Sequence, residues 1–191
     1  SERSILSTCY CIFLAFFCLL NELLISNFNL QYVAQYTSYE TPTFYKVTAL
    51  WAGQAGSLLF WSFITSLFTV IYIFETLKKM ENLKFNSYLI LTFIFSFFII
   101  LSSFIANPFE PVSSDIVVQN GNGLNPLLQN FFMAIHPPIL YVGFTGCTII
   151  FVMAMAASIS KNVSFDWVRS IRRWSLIVWT FLSAGIILGG Y

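Results

Sequence analysis

Five stretches of about twenty predominantly apolar residues dominate this sequence, at positions 5–25, 57–77, 88–106, 139–159 and 174–189. A helix needs roughly 20 such residues to cross the hydrocarbon core of a bilayer. With no water there to satisfy peptide groups, a spanning segment must close its own hydrogen bonds. An all-α, polytopic membrane protein with five transmembrane helices follows. Composition agrees: 58% of the 191 residues are hydrophobic and 9% charged, against about 25% charged in a soluble domain. A soluble enzyme, a secreted disulfide scaffold and a disordered chain are excluded. A net charge of +1 without a basic patch also argues against nucleic acid as a partner. No internal repeat or soluble domain interrupts the pattern, so residues 1–191 read as a single membrane unit.

The basic residues set the orientation. Arg3 precedes the first span, Lys78, Lys79 and Lys84 follow the second, and Lys161, Arg169, Arg172 and Arg173 follow the fourth. Only Lys46 lies in the other two connections. Basic residues accumulate on the side from which a membrane protein is inserted. The N-terminus is therefore expected inside, segments 26–56 and 107–138 outside, and Tyr191 outside. Cys9, Cys11, Cys18 and Cys147 all sit in apolar runs with no metal-ligand spacing, and read as structural thiols.

The outer segments carry the chemistry-bearing residues. In Leu124-Asn125-Pro126, Asn125 suits an N-cap and Pro126 the first helical position. Leu127, Leu128, Phe131, Phe132 and Ile135 then recur at helical spacing, which predicts a short interfacial helix before His136. Pro137 and Pro138 predict a break, with the fourth spanning helix starting afterwards. His136 is the one histidine of the chain. It can ligate a metal or haem iron, relay protons, or bond a carbonyl that the prolines leave unpaired. In the first outer segment, Gly53 and Gly56 permit close backbone approach, Gln54 and Ser57 can hydrogen-bond a carbonyl or carboxylate, and Trp51 and Trp61 suit the interfacial aromatic belt.

Several segments, in their order, resemble the haem-handling family of cytochrome c maturation typified by the CcmF haem lyase subunit, with NrfE and CcsA. They include Phe28-Asn29-Leu30-Gln31-Tyr32, Pro42-Thr43-Phe44-Tyr45-Lys46 and the stretch from Trp51 to Trp61. Asn107-Pro108-Phe109, Leu124-Asn125-Pro126-Leu127-Leu128-Gln129, His136-Pro137-Pro138-Ile139-Leu140-Tyr141 and Leu188-Gly189-Gly190-Tyr191 complete the set. The resemblance implies a membrane component of cytochrome c assembly that helps present haem for thioether attachment to a Cys-x-x-Cys-His apocytochrome. It implies haem b as cofactor, with His136 as an axial ligand of its iron and Trp51, Gln54 and Tyr141 as further candidates for cofactor binding. It implies as partners membrane lipid, the remaining part of the haem lyase, a haem chaperone, apocytochrome c and quinol.

Two departures qualify what is carried over. Gln54 and Ala55 stand where the family has His and Glu, so no titrating role transfers to that segment. The family's first helix, before Ser1, and its tryptophan-rich outer segment, beyond Tyr191, are not in this sequence. The chain is therefore expected to be a fragment or a split part of a larger haem-handling protein, inactive as a lyase alone. Two other classes compete: a structural subunit of a respiratory complex without cofactor, and an ion- or proton-translocating subunit. The latter is disfavoured because the carboxylates within the predicted spans, Glu22 and Glu75, both lie close to a span end and none is central. A bacterial inner membrane with the active side periplasmic is the expected location, the mitochondrial inner membrane the alternative.

Overall fold

The computed structural model describes residues 2–113 and 117–190, so the expected outer position of Tyr191 lies outside the described residues. In chain order the helices are α1 (Glu2–Ile25), α2 (Gln31–Tyr36), α3 (Thr43–Thr48), α4 (Gln54–Ile71), α5 (Lys84–Ile100), α6 (Phe131–Ser160) and α7 (Phe165–Leu188). A π-helical turn, Tyr72–Thr76, carries α4 on towards Lys79, and another, Leu101–Ile105, extends α5. Among the described residues five helices are long and apolar enough to cross a membrane, as expected. Among the described residues β-structure is limited to one isolated bridge, Leu30 to Pro111.

The connections gather at two opposite ends of the bundle, as strict alternation demands. At the basic end the Tyr88 hydroxyl donates to Glu2 at 2.7 Å, Asn86 donates to Ser160 at 2.7 Å, and Arg173 pairs with Glu75 at 3.1 Å. At the other end α2, α3 and segments 106–113 and 117–130 form a cap. The Gln31 N–H donates to the Glu110 carbonyl at 2.9 Å and the Val112 N–H to the Asn29 carbonyl at 2.8 Å. Lys46 donates to Ser26 Oγ at 2.6 Å. The hub of this cap is Tyr32, whose hydroxyl faces the Ala49 and Leu50 carbonyls at 2.9 and 3.1 Å and accepts from the Gly53 N–H at 3.1 Å. Burial holds that hydroxyl well above its ordinary pKa.

Two helix boundaries differ from expectation. The fifth spanning helix starts at Phe165, not Trp174, because Ser164 caps it by accepting from the Trp167 N–H at 3.2 Å. Arg169, Arg172 and Arg173 therefore lie on α7 and not in a loop, an arrangement that hydropathy alone misses because the apolar run begins a full two turns later. The second difference concerns the prolines. Asn125 does cap and Pro126 does open a turn, but the turn is a single 3₁₀ step, Pro126–Leu128. Asn130 then caps α6, accepting from the Phe132 N–H at 2.9 Å, and α6 runs unbroken through Pro137 and Pro138.

Part of the damage from the two prolines is repaired by a side chain outside α6. Pro138 has no N–H for the carbonyl of Ala134, four residues back. The indole N–H of Trp51 donates to that carbonyl at 3.2 Å. Prolines in membrane helices are tolerated where neighbours re-satisfy the freed groups in this way.

Helices α6 and α7 make the tightest pair of the bundle, joined through Lys161 in the left-handed conformation (φ +48°). Their antiparallel register is written in glycines. Leu182 sits over Gly143, Val178 over Gly146, Leu140 over Gly185 and His136 over Gly189. Gly185 and Gly189 form a G-x-x-x-G pair, the small-residue spacing that lets membrane helices approach closely.

Candidate functional site

The helix pair positions the imidazole. His136 is the outermost of the side chains that fill the glycine notches, and a Cβ added at Gly189 would lie 2.5 Å from His136 Cε1. On the same helix face its Nδ1 lies 2.7 Å from the Gly185 carbonyl oxygen. A carbonyl only accepts, so Nδ1 carries the hydrogen, and in the neutral ring Nε2 keeps its lone pair. Among the described residues Nε2 has no hydrogen-bond partner. Of the three uses open to the imidazole, bonding a proline-freed carbonyl is not what it does at Ala134, where Trp51 fills that role. The Gly185 carbonyl is itself already engaged by the Gly189 N–H at 3.0 Å.

His136 lines a cleft of about 310 Å³ with Trp61, Pro137, Leu140, Tyr141 and Phe144. Its walls are apolar and largely flat. Trp61 and Tyr141 meet edge to face at 5.7 Å between ring centres, Trp61 stacks on Phe144 at 6.5 Å, and Tyr141 meets Phe60 at 5.6 Å. The Trp61 indole N–H is buried without a partner among the described residues. An unsatisfied buried donor costs about 1–3 kcal/mol, so Trp61 is held in place by the aromatic packing around it.

Of the four residues singled out from the sequence, two line this cleft and two do not. His136 and Tyr141 do, one and a half turns apart on α6. Trp51 does not line it; its ring meets Phe60 in a tilted contact at 5.3 Å and its indole N–H donates to the Ala134 carbonyl. Gln54 opens α4 beside a separate polar cleft that it shares with Gln31, Gln35, Asn107 and Glu110. Trp61, Leu140, Phe144, Gly185 and Gly189 were not singled out for the site. The G-x-x-x-G spacing of the two glycines was the available signal for where a partner helix would press on α6. No group of three or more His, Cys, Asp or Glu side chains with metal-binding geometry exists among the described residues. Glu22 accepts from Asn27 at 2.6 Å near the end of α1, so the spans carry no central carboxylate to support ion translocation.

The family model described as "Cytochrome C assembly protein" matches residues 51–191, which include every residue of the cleft. The chain belongs to the cytochrome c assembly family. It is 36% identical over 167 residues to the cytochrome c-type biogenesis protein NrfE of Haemophilus influenzae. It is 31% identical over 175 residues to CcmF of Escherichia coli. These matches cover 87% and 92% of this chain but 26% and 27% of those proteins. A solved structure titled "Cytochrome c Heme Lyase CcmF" superposes with a TM-score of 0.78 at 29% identity, over 95% of this chain and 28% of that one. The chain thus spans about a quarter of the length of the relatives it matches. The expected membership is borne out.

Proposed function

We propose that this chain supplies one wall and one axial ligand of a haem site in a cytochrome c haem lyase, with His136 Nε2 as the ligand and haem b as the group bound. The observation that carries this is the Nδ1 hydrogen bond to the Gly185 carbonyl. Metal-ligating histidines almost always donate their other N–H to a carbonyl or carboxylate, which fixes the tautomer and raises ligand basicity. The cleft fits the group in kind: flat apolar walls at Trp61, Tyr141 and Phe144 suit a macrocycle, and Nε2 is the free donor. Bound haem supplies an iron centre whose potential depends on its axial ligands and burial.

The residues of this chain have three tasks in that reading. Gly185 and the notch at Gly189 orient the imidazole, Trp51 holds the first turns of α6 together across Pro138, and the aromatic walls keep water from the ring. The second axial ligand comes from the remaining part of the lyase, as do the surfaces for a haem chaperone, apocytochrome c and quinol. The capped end of the bundle faces the periplasm of a bacterial inner membrane, and presentation of haem for thioether attachment takes place there.

The test is the absorption spectrum of the full-length protein. His136→Ala should remove the haem bands, and added imidazole should restore them, because the cleft walls remain. Unchanged haem content in His136→Ala would refute ligation. Haem that stays bound through cycles of apocytochrome maturation is resident; haem that leaves with the product is cargo and would refute the haem b assignment.

A further inference from the structure

At the basic end of the bundle, away from His136, a second cavity of about 200 Å³ lies between the end of α4 and the first three turns of α7. Lys79, Arg169 and Arg173 line its mouth, with Glu75 and Asp166 beside them. Glu75 is committed to Arg173 at 3.1 Å. Lys79 and Arg169 have no carboxylate partner among the described residues; Arg169 lies over the Phe165 ring at 5.2 Å. Deeper in, the wall turns apolar through Phe68, Ile71 and Ile177. The frame is rigid: Trp174 is buried, its indole N–H 3.4 Å from Thr76 Oγ1, and the Trp167 indole N–H donates to the Met153 carbonyl at 3.0 Å. With Glu75 taken up by Arg173, Lys79 and Arg169 face the single carboxylate of Asp166, and this net positive rim above an apolar wall matches a phosphate head with chains beneath it. Basic pockets between transmembrane helices bind anionic lipid heads by this complementarity.

We propose that this cavity is a binding site for an anionic phospholipid, its phosphate held by Lys79 and Arg169 and its acyl chains lying along Phe68, Ile71 and Ile177. Ser170 adds a hydroxyl to the same rim. The site is independent of the haem reading.

The experiment is native mass spectrometry of the full-length protein released from nanodiscs of phosphatidylglycerol mixed with phosphatidylcholine. The wild type should retain one phosphatidylglycerol in preference to phosphatidylcholine. Lys79→Gln with Arg169→Gln should weaken retention about thirty-fold, at roughly 1 kcal/mol for each basic residue near the surface. Lys78→Gln with Lys84→Gln removes the same charge from the same end without touching the cavity, and should leave retention unchanged. Equal loss in both double variants, or equal retention of phosphatidylcholine, would overturn the proposal. So would inorganic phosphate at millimolar concentration displacing the lipid completely, since the apolar wall would then contribute nothing. Should the first double variant misfold, Lys79→Arg with Arg169→Lys must keep the lipid.

Discussion

Replacing Trp51 by Phe should destabilise the protein through one atom. Phenylalanine keeps a ring for the tilted contact with Phe60, at 5.3 Å between centres, but loses the N–H that reaches the Ala134 carbonyl at 3.2 Å. Ala134 is 2% exposed, so no water replaces that donor, and a buried unsatisfied group costs about 1–3 kcal/mol. A carbonyl bears two lone pairs and tolerates neglect better than an N–H, which places the cost near 1–2 kcal/mol. The cause is separable from lost packing by a second change. Pro138→Ala restores the backbone N–H that the Ala134 carbonyl lacks, making the Trp51 donor redundant. In the Pro138→Ala background, Trp51→Phe should therefore lose about 1 kcal/mol or more of its cost, a coupling typical of residues that share one hydrogen-bonding group. The assay is unfolding in mixed micelles for the four members of the cycle. Additive effects, with Trp51→Phe equally costly in both backgrounds, would refute the claim that the indole repairs a proline defect.

Other outcomes can be checked alongside it. Gly189→Ala puts a methyl 2.5 Å from His136 Cε1 and should strip haem from the full-length protein, whereas Gly190→Ala meets nothing closer than 3.4 Å and should not; haem absorbance per mole of protein reads both. Tyr32→Phe leaves the Gly53 N–H without its acceptor, while the Ala49 carbonyl keeps the Ala52 N–H, and should cost about 1–3 kcal/mol in the same unfolding assay. Glu40 is held below its ordinary pKa of 4.5, chiefly by the hydrogen bond from the Asn120 side chain. A lowered folded-state pKa means that the tie is intact above 4.5 and is lost as pH falls through the lowered value. Exchange protection of the Tyr39 N–H, which donates to Asn120, should fall in that acid range, and Glu40→Gln should remove the pH dependence.

The fold was legible because apolar length and the placement of lysine and arginine are properties of the chain itself. The five spans follow from them, and the ends that hydropathy misjudged are those set by caps, such as Ser164 and Asn130. The proline pair misled because its consequence depends on Trp51, 83 positions in sequence from the Ala134 carbonyl that it reaches, and a local rule cannot see it. The site was half legible. A lone histidine beside prolines could be marked as a candidate, and Tyr141 follows on the same helix. What separates Gln54 from them is the packing of α2 against segment 106–110, a tertiary fact. Trp61 reads equally well as belt or as wall until α6 is laid beside it.

The Gly185 carbonyl serves two hydrogens at once, that of Gly189 in its own helix and that of the imidazole across the gap. In the haem site proposed above, the electron density on His136 Nε2 would therefore be tuned through the Gly185 carbonyl of the neighbouring helix. A small slide of α7 along α6, caused by whatever packs on its outer face, would stretch that bond and alter how strongly the opposite nitrogen donates. The electronic character of this position is in that sense a mechanical quantity, adjustable by the rest of the assembly without exchanging a single coordinating atom.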